Sequence, residues 1–190
     1  MHELLKTEYG FSEFQIKQLN YVWKTFSSEF SKLLIMGIIF HNKLGMYLFA
    51  VIIMMLLRSA TGGLHCSKFI FCFIVSLSYM ILVLSILPRI PVEKPIQMML
   101  LFLCILANYY IGPVTSAVHR PLSEETQSRV RVQAFIVIFF YLIITYIVPE
   151  SLYITTGFWV IILHTAQLVA AKLTKMKGVH YYERKTCQVE

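Results

Sequence analysis

The sequence predicts an all-α, polytopic integral membrane protein. Apolar residues make up 57% of the 190 and charged residues only 14%, where soluble domains run near roughly 45–50% and about 25%. The apolar residues are gathered into long runs, and short polar segments carrying Pro, Gly or clustered charge separate those runs. Runs approaching bilayer length read as membrane helices. The net charge of +7 would point to nucleic acid in a soluble domain. Here cytosolic Lys and Arg and an anionic lipid face account for it, and no nucleic-acid partner is expected.

Residues 1–32 hold no early apolar core and no small-residue cleavage site, so they do not read as a secretory signal. From Phe11 to Phe30 apolar residues return every three or four positions, a helical period, and Ser12 suits the N-cap. An amphipathic helix in the membrane interface is expected. Residues 33–40 and 44–57 are apolar but interrupted by His41-Asn42-Lys43. Neither run reaches the roughly 20 residues that cross a core of about 30 Å. They read as one tilted span with a polar defect or as short, re-entrant helices.

Four spans are clear. Residues 69–87 form the first, ended by Pro88 and Pro91, and Pro95 opens the next at an early helical position. Residues 96–111 form the second and stop at Gly112-Pro113. Ser123, Thr126 and Gln127 mark a helix start ahead of the third, 132–148. Pro149-Glu150 turns the chain into the fourth, 153–171, which contains Trp159 and His164. The whole chain, 1–190, reads as a single membrane domain: interfacial segment 1–32, short or re-entrant helices 33–57, a reactive stretch 58–72, four transmembrane helices within 69–171 and a basic tail 172–190. The tail has the densest Lys/Arg excess and is expected in the cytosol. Counting back puts 114–131 and 58–68 on the same side, with the N-terminus joining them if 33–57 re-enters.

The frame surrounds Arg58-Ser-Ala-Thr-Gly-Gly-Leu-His-Cys-Ser-Lys-Phe-Ile-Phe-Cys72. Charged and reactive side chains beside membrane runs are costly, and their default reading is functional. Cys72 with His65 supplies a thiol and its base. On one continuous helix their seven-residue separation is a rise of about 10.5 Å, too long for a hydrogen bond. A catalytic pair therefore needs a break, which Gly62-Gly63 permits. Cys66 is the rival nucleophile. Arg58 suits an oxyanion, a carboxylate or an interface anchor, and the backbone N–H groups of Gly62 and Gly63 suit an oxyanion. The spacing of Cys66, Cys72, Cys104 and Cys187 suggests neither a disulfide framework nor a zinc ribbon, and no metal or cofactor is expected. His41, His119 and His164 have no Cys or carboxylate arrangement that assigns them a role.

The pattern Arg58-x4-Gly62-Gly63-x-His65-x6-Cys72, with Gly112-Pro113-Val114 and then His119-Arg120-Pro121-Leu122, resembles the accessory gene regulator B (AgrB) family of membrane thiol endopeptidases. The His119-Arg120 pair departs from the Asn-Lys more usual there, and Cys66 is an addition. The resemblance covers nearly the whole chain. It implies a substrate of the AgrD-like propeptide class, with an amphipathic leader, a signal segment and an acidic C-terminal tail. It also implies Cys72 as nucleophile and His65 as base, an acyl-thioester, closure of a thiolactone or lactone ring, and a homodimer. Arg120, Arg129 and Arg131 are expected to hold the acidic tail of the substrate. The alternative is a non-catalytic transport-accessory or metal-binding membrane protein. Ionisable residues deep in several spans would mark the former, and His164 is the exception that the sequence offers.

Overall fold

The computed structural model describes residues 12–61, 69–112 and 124–186. Among them every regular element is helical. The chain divides into two compact units, Met1–Asn42 and Lys43–Glu190.

The first unit holds α1, Glu13–Ile39. Its start follows the predicted cap. Ser12 Oγ accepts from Gln15 N at 3.3 Å, and Gln15 Oε1 accepts from Ser12 N at 2.9 Å. This capping box satisfies two backbone donors that a helix start leaves open. The exposed large apolar side chains Leu19, Val22, Trp23, Phe26, Phe30 and Leu34 fall within one stripe at 100° per residue. The residues 33–39 continue this same helix, and the polar triplet His41–Lys43 becomes a short 3₁₀ turn.

The second unit holds five helices: α2, Leu44–Thr61; α3, Phe69–Ile81; α4, Lys94–Ile111; α5, Glu124–Ile147; and α6, Leu152–Thr186. A π-helical turn, Leu82–Ile86, and a 3₁₀ turn, Leu87–Arg89, prolong α3 as far as its prolines. Pro95 lies in the first turn of α4, as expected. Gly112 ends α4 with φ 66° and ψ −176°, a conformation open essentially to glycine alone. Among the described residues, five helices are long and apolar enough to cross a membrane. Four are the expected spans. The fifth is α2, which runs four residues beyond the apolar stretch 44–57 and takes in Arg58 and Thr61. Its 18 residues extend about 27 Å, close to the hydrocarbon thickness. The two short apolar runs thus belong to different helices, α1 and α2.

Helix α6 is the centre of the bundle. It packs on α2 and α4 and against the end of the α3 segment. Of its apolar window 56% is buried, against 22–39% for the other four. Small and hydroxyl residues allow this. Thr156, Gly157 and Thr165 are buried, and Gly157 lets the Tyr141 and Ile53 side chains close in; Thr165 Oγ1 returns its proton to Ile161 O at 2.9 Å. Tyr141 of α5 donates to Ile154 O at 2.5 Å, and Tyr79 of α3 donates to Val160 O at 3.0 Å. The outer faces stay apolar, with Ile70, Phe102, Leu103, Phe139 and Phe140 exposed. A surface of that kind is suited to lipid.

Lysines close both ends of the bundle. At one end Lys43 Nζ donates to Leu84 O at 2.8 Å, and Lys94 Nζ to Val148 O at 3.3 Å. At the other, Lys172 Nζ donates to Ile111 O at 3.3 Å. Arg58, Thr61 and Gly112 lie toward this second end, and the reactive stretch leaves α2 there.

Candidate active site

Helix α2 delivers Arg58 in its last turn, where a cation complements the negative end of the helix dipole. Helix α3 begins at Phe69, so Cys72 sits in its first turn. Both side chains line a cavity of about 160 Å³. Met54 of α2, Phe71, Val75, Ser76 and Tyr79 of α3 and Gln167 of α6 complete its wall. Cys72 is 8% exposed and carries no disulfide. A thiol there is withdrawn from bulk solvent, with a half-buried guanidinium in the same cavity.

Of the remaining expected residues, Gly62, Gly63, His65, Cys66 and Arg120 lie outside the described residues. Arg129 and Arg131 stand on α5, and neither lines the Cys72 cavity. Arg129 is exposed and pairs with Glu125 at 2.6 Å, one helical turn away. Arg131 is half-buried against Gly112. A Cβ at Gly112 would stand 2.8 Å from Arg131 Nε and 2.9 Å from Nη2. Arg131 Nε is buried and finds no hydrogen-bond partner among the described residues. Of the aromatic rings flanking Cys72 in the sequence, Phe71 lines the cavity, Phe73 is half-buried outside it, and the Phe69 side chain lies outside the described residues.

Three contributors were not legible in the sequence. Tyr79 and Gln167 enter the cavity from one turn or more beyond the reactive stretch and from a different span. His164 is 4% exposed and reaches Thr61 Oγ1 with Nε2 at 2.8 Å. An ionisable residue inside a span was the available signal, but its partner is 103 residues away in the chain. Among the described residues, no group of three or more His, Cys, Asp or Glu could hold a metal ion.

The family model for Accessory gene regulator B matches residues 4–168. That covers all five candidate spans except the last turns of α6. No curated protein and no solved structure was found to match the chain. Five apolar helices, a thiol and a guanidinium sharing one cavity and the match across most of the chain lead to one conclusion: the protein is a multi-pass membrane member of the accessory gene regulator B family, which serves in autoinducing-peptide processing.

Proposed function

We propose that the protein is a membrane cysteine endopeptidase that removes the C-terminal tail of an AgrD-like propeptide and promotes closure of its signal segment into a thiolactone or lactone. The observation that carries this reading is the shared cavity of Cys72 and Arg58, at the end of α2 from which the chain enters Gly62-Gly63-x-His65.

In this mechanism His65 takes the Cys72 proton, and the thiolate attacks the scissile carbonyl carbon. The guanidinium of Arg58 and backbone N–H groups at Gly62 and Gly63 stabilise the oxyanion. Collapse expels the amine of the acidic tail, which takes the proton from His65, and leaves an acyl-thioester on Cys72. An internal Cys of the substrate then gives its proton to His65 and attacks the thioester. The ring closes and the Cys72 thiolate is released. Exchange of one thioester for another is nearly balanced, whereas hydrolysis is downhill, so water must be kept from the intermediate. The low exposure of Cys72 and the apolar wall of Met54, Phe71 and Val75 serve that purpose.

Arg131, with Arg120 and Arg129, receives the acidic tail. Of these Arg131 is the best placed, because its Nε has no hydrogen-bond partner among the described residues while Arg129 is engaged by Glu125. The second end of the bundle, with the tail, faces the cytosol. An odd number of crossings puts Lys43 on the opposite face. A cytosolic N-terminus therefore requires one further crossing before Lys43. The working unit is a homodimer.

Purified protein in liposomes, given propeptide, tests the reading. Cys72→Ala and His65→Ala should each abolish cleavage. A propeptide whose internal Cys is replaced by Ala should lose its tail and stall as an adduct, with added mass equal to its N-terminal part and removable by hydroxylamine. An adduct mapped to Cys66, or near-normal turnover in either variant, would overturn the assignment.

A further inference from the structure

His164 lies in the middle of the most enclosed helix, α6, and faces the last residue of α2. Thr61 is 2% exposed and His164 4%, so this contact is made out of water. The Thr61 hydroxyl donates its single proton to Leu57 O at 2.9 Å, which leaves Oγ1 with lone pairs only. His164 therefore donates to it through Nε2–H across 2.8 Å. In a medium without competing water, a hydrogen bond of this kind is costly to leave unmade.

Its position gives it a use. Thr61 is three residues after Arg58 and four before His65. Gln167, one turn beyond His164 on α6, lines the cavity that holds Arg58 and Cys72. One bond thus ties the centre of the bundle to the point where α2 hands over to the reactive stretch.

We infer that His164 is a positioning residue for the reaction: by holding Thr61 it fixes the end of α2, and with it the placement of Arg58. This rests on the thiol-endopeptidase reading above. His164 touches no reacting atom in this role. Its loss slows acylation by misplacing groups that do, and a displacement of about 1 Å can cost on the order of 10²-fold.

The test is kcat and KM for a fluorophore-labelled propeptide with amphipathic leader, internal Cys and acidic tail, using full-length protein in liposomes. His164→Asn and Thr61→Val should lower kcat by about 10- to 100-fold with KM within about twofold. His164→Gln should recover most of kcat, because its amide nitrogen reaches the place of Nε2, which the shorter Asn amide does not. The double variant of His164→Asn and Thr61→Val should be no slower than the worse single one, since both remove the same bond. Thr61→Val, nearly isosteric with the native residue, keeps His164 in place and tests the same bond from its α2 end. A structural role alone would make Gln and Asn equivalent and the two sites additive. Equal kcat for Gln and Asn, or wild-type kcat in Thr61→Val, overturns the inference. Cys72→Ala in the same assay separates the two proposals. If it still cleaves, the endopeptidase reading fails. If it is inert while His164→Asn and Thr61→Val turn over normally, only the present inference fails.

Discussion

Replacing Gly112 by Ala perturbs backbone and substrate contact together, and the two effects can be read separately. Gly112 has φ 66° and ψ −176°, where a Cβ carries a strain of about 1–3 kcal/mol. The added methyl would also stand 2.8 Å from Arg131 Nε and 2.9 Å from Nη2, inside any tolerable contact. The guanidinium is the far end of a flexible side chain, so it yields, at little cost in stability but with loss of its position. The strain predicts a melting temperature roughly 2–12 °C lower, at about 2–4 °C per kcal/mol for a chain of this size. The displaced charge predicts a KM for tailed propeptide raised about fivefold, from about 1 kcal/mol for one part-buried charged contact, with kcat held. Arg131→Gln should reproduce the KM change without the loss of melting temperature, and combining it with Gly112→Ala should raise KM no further. Thermal melting in detergent, with steady-state kinetics on propeptides with and without the acidic tail, gives both readings. A Gly112→Ala protein that melts early yet keeps the wild-type KM for tailed substrate would refute the placing of Arg131 at the tail.

Arg58→Gln should lower kcat by roughly 10²–10³-fold, the usual cost of removing one oxyanion donor, whereas Arg58→Lys should keep part of the activity; equal, near-normal rates for both would leave Arg58 an interface anchor. Gly157→Ala should destabilise the bundle by about 1–3 kcal/mol, because the new methyl would overlap the Tyr141 hydroxyl and stand 2.8 Å from Ile53 Cδ1; an unchanged melting temperature would show that α2, α5 and α6 are packed more loosely than described. A membrane-impermeant maleimide added to intact cells should label Asn42→Cys and leave His2→Cys protected, as a crossing α2 with a cytosolic N-terminus demands; protection of Asn42→Cys would refute the orientation assigned to the bundle, and labelling of His2→Cys would put the N-terminus outside.

The number and limits of most helices were legible in the residues themselves because local rules suffice there. Ser12 caps α1 with its own neighbours, Pro95 opens α4, and Gly112 ends it. The apolar runs between them have nowhere to satisfy their backbone groups in a bilayer except within a helix. Arg58 and Cys72 were recognisable for a similar reason: charge and thiol beside a membrane run stand out against composition. The tertiary structure decided what depends on contact across the chain. Residues 44–57 alone were too short to cross, and it took Arg58–Thr61, wound into the same helix and closed at its end by Thr61 and His164, to make α2 long enough. Composition counts Arg58 against a span, whereas a helix end can carry it toward the interface. The sharing of one cavity by Arg58 and Cys72, the centrality of α6 and the bond between His164 and Thr61 come from the packing of the consecutive helices α2 and α3 on α6, which is distant from both in sequence. No spacing rule along the chain encodes a contact 103 residues apart, because helical periodicity says which face is apolar and not which neighbour it meets.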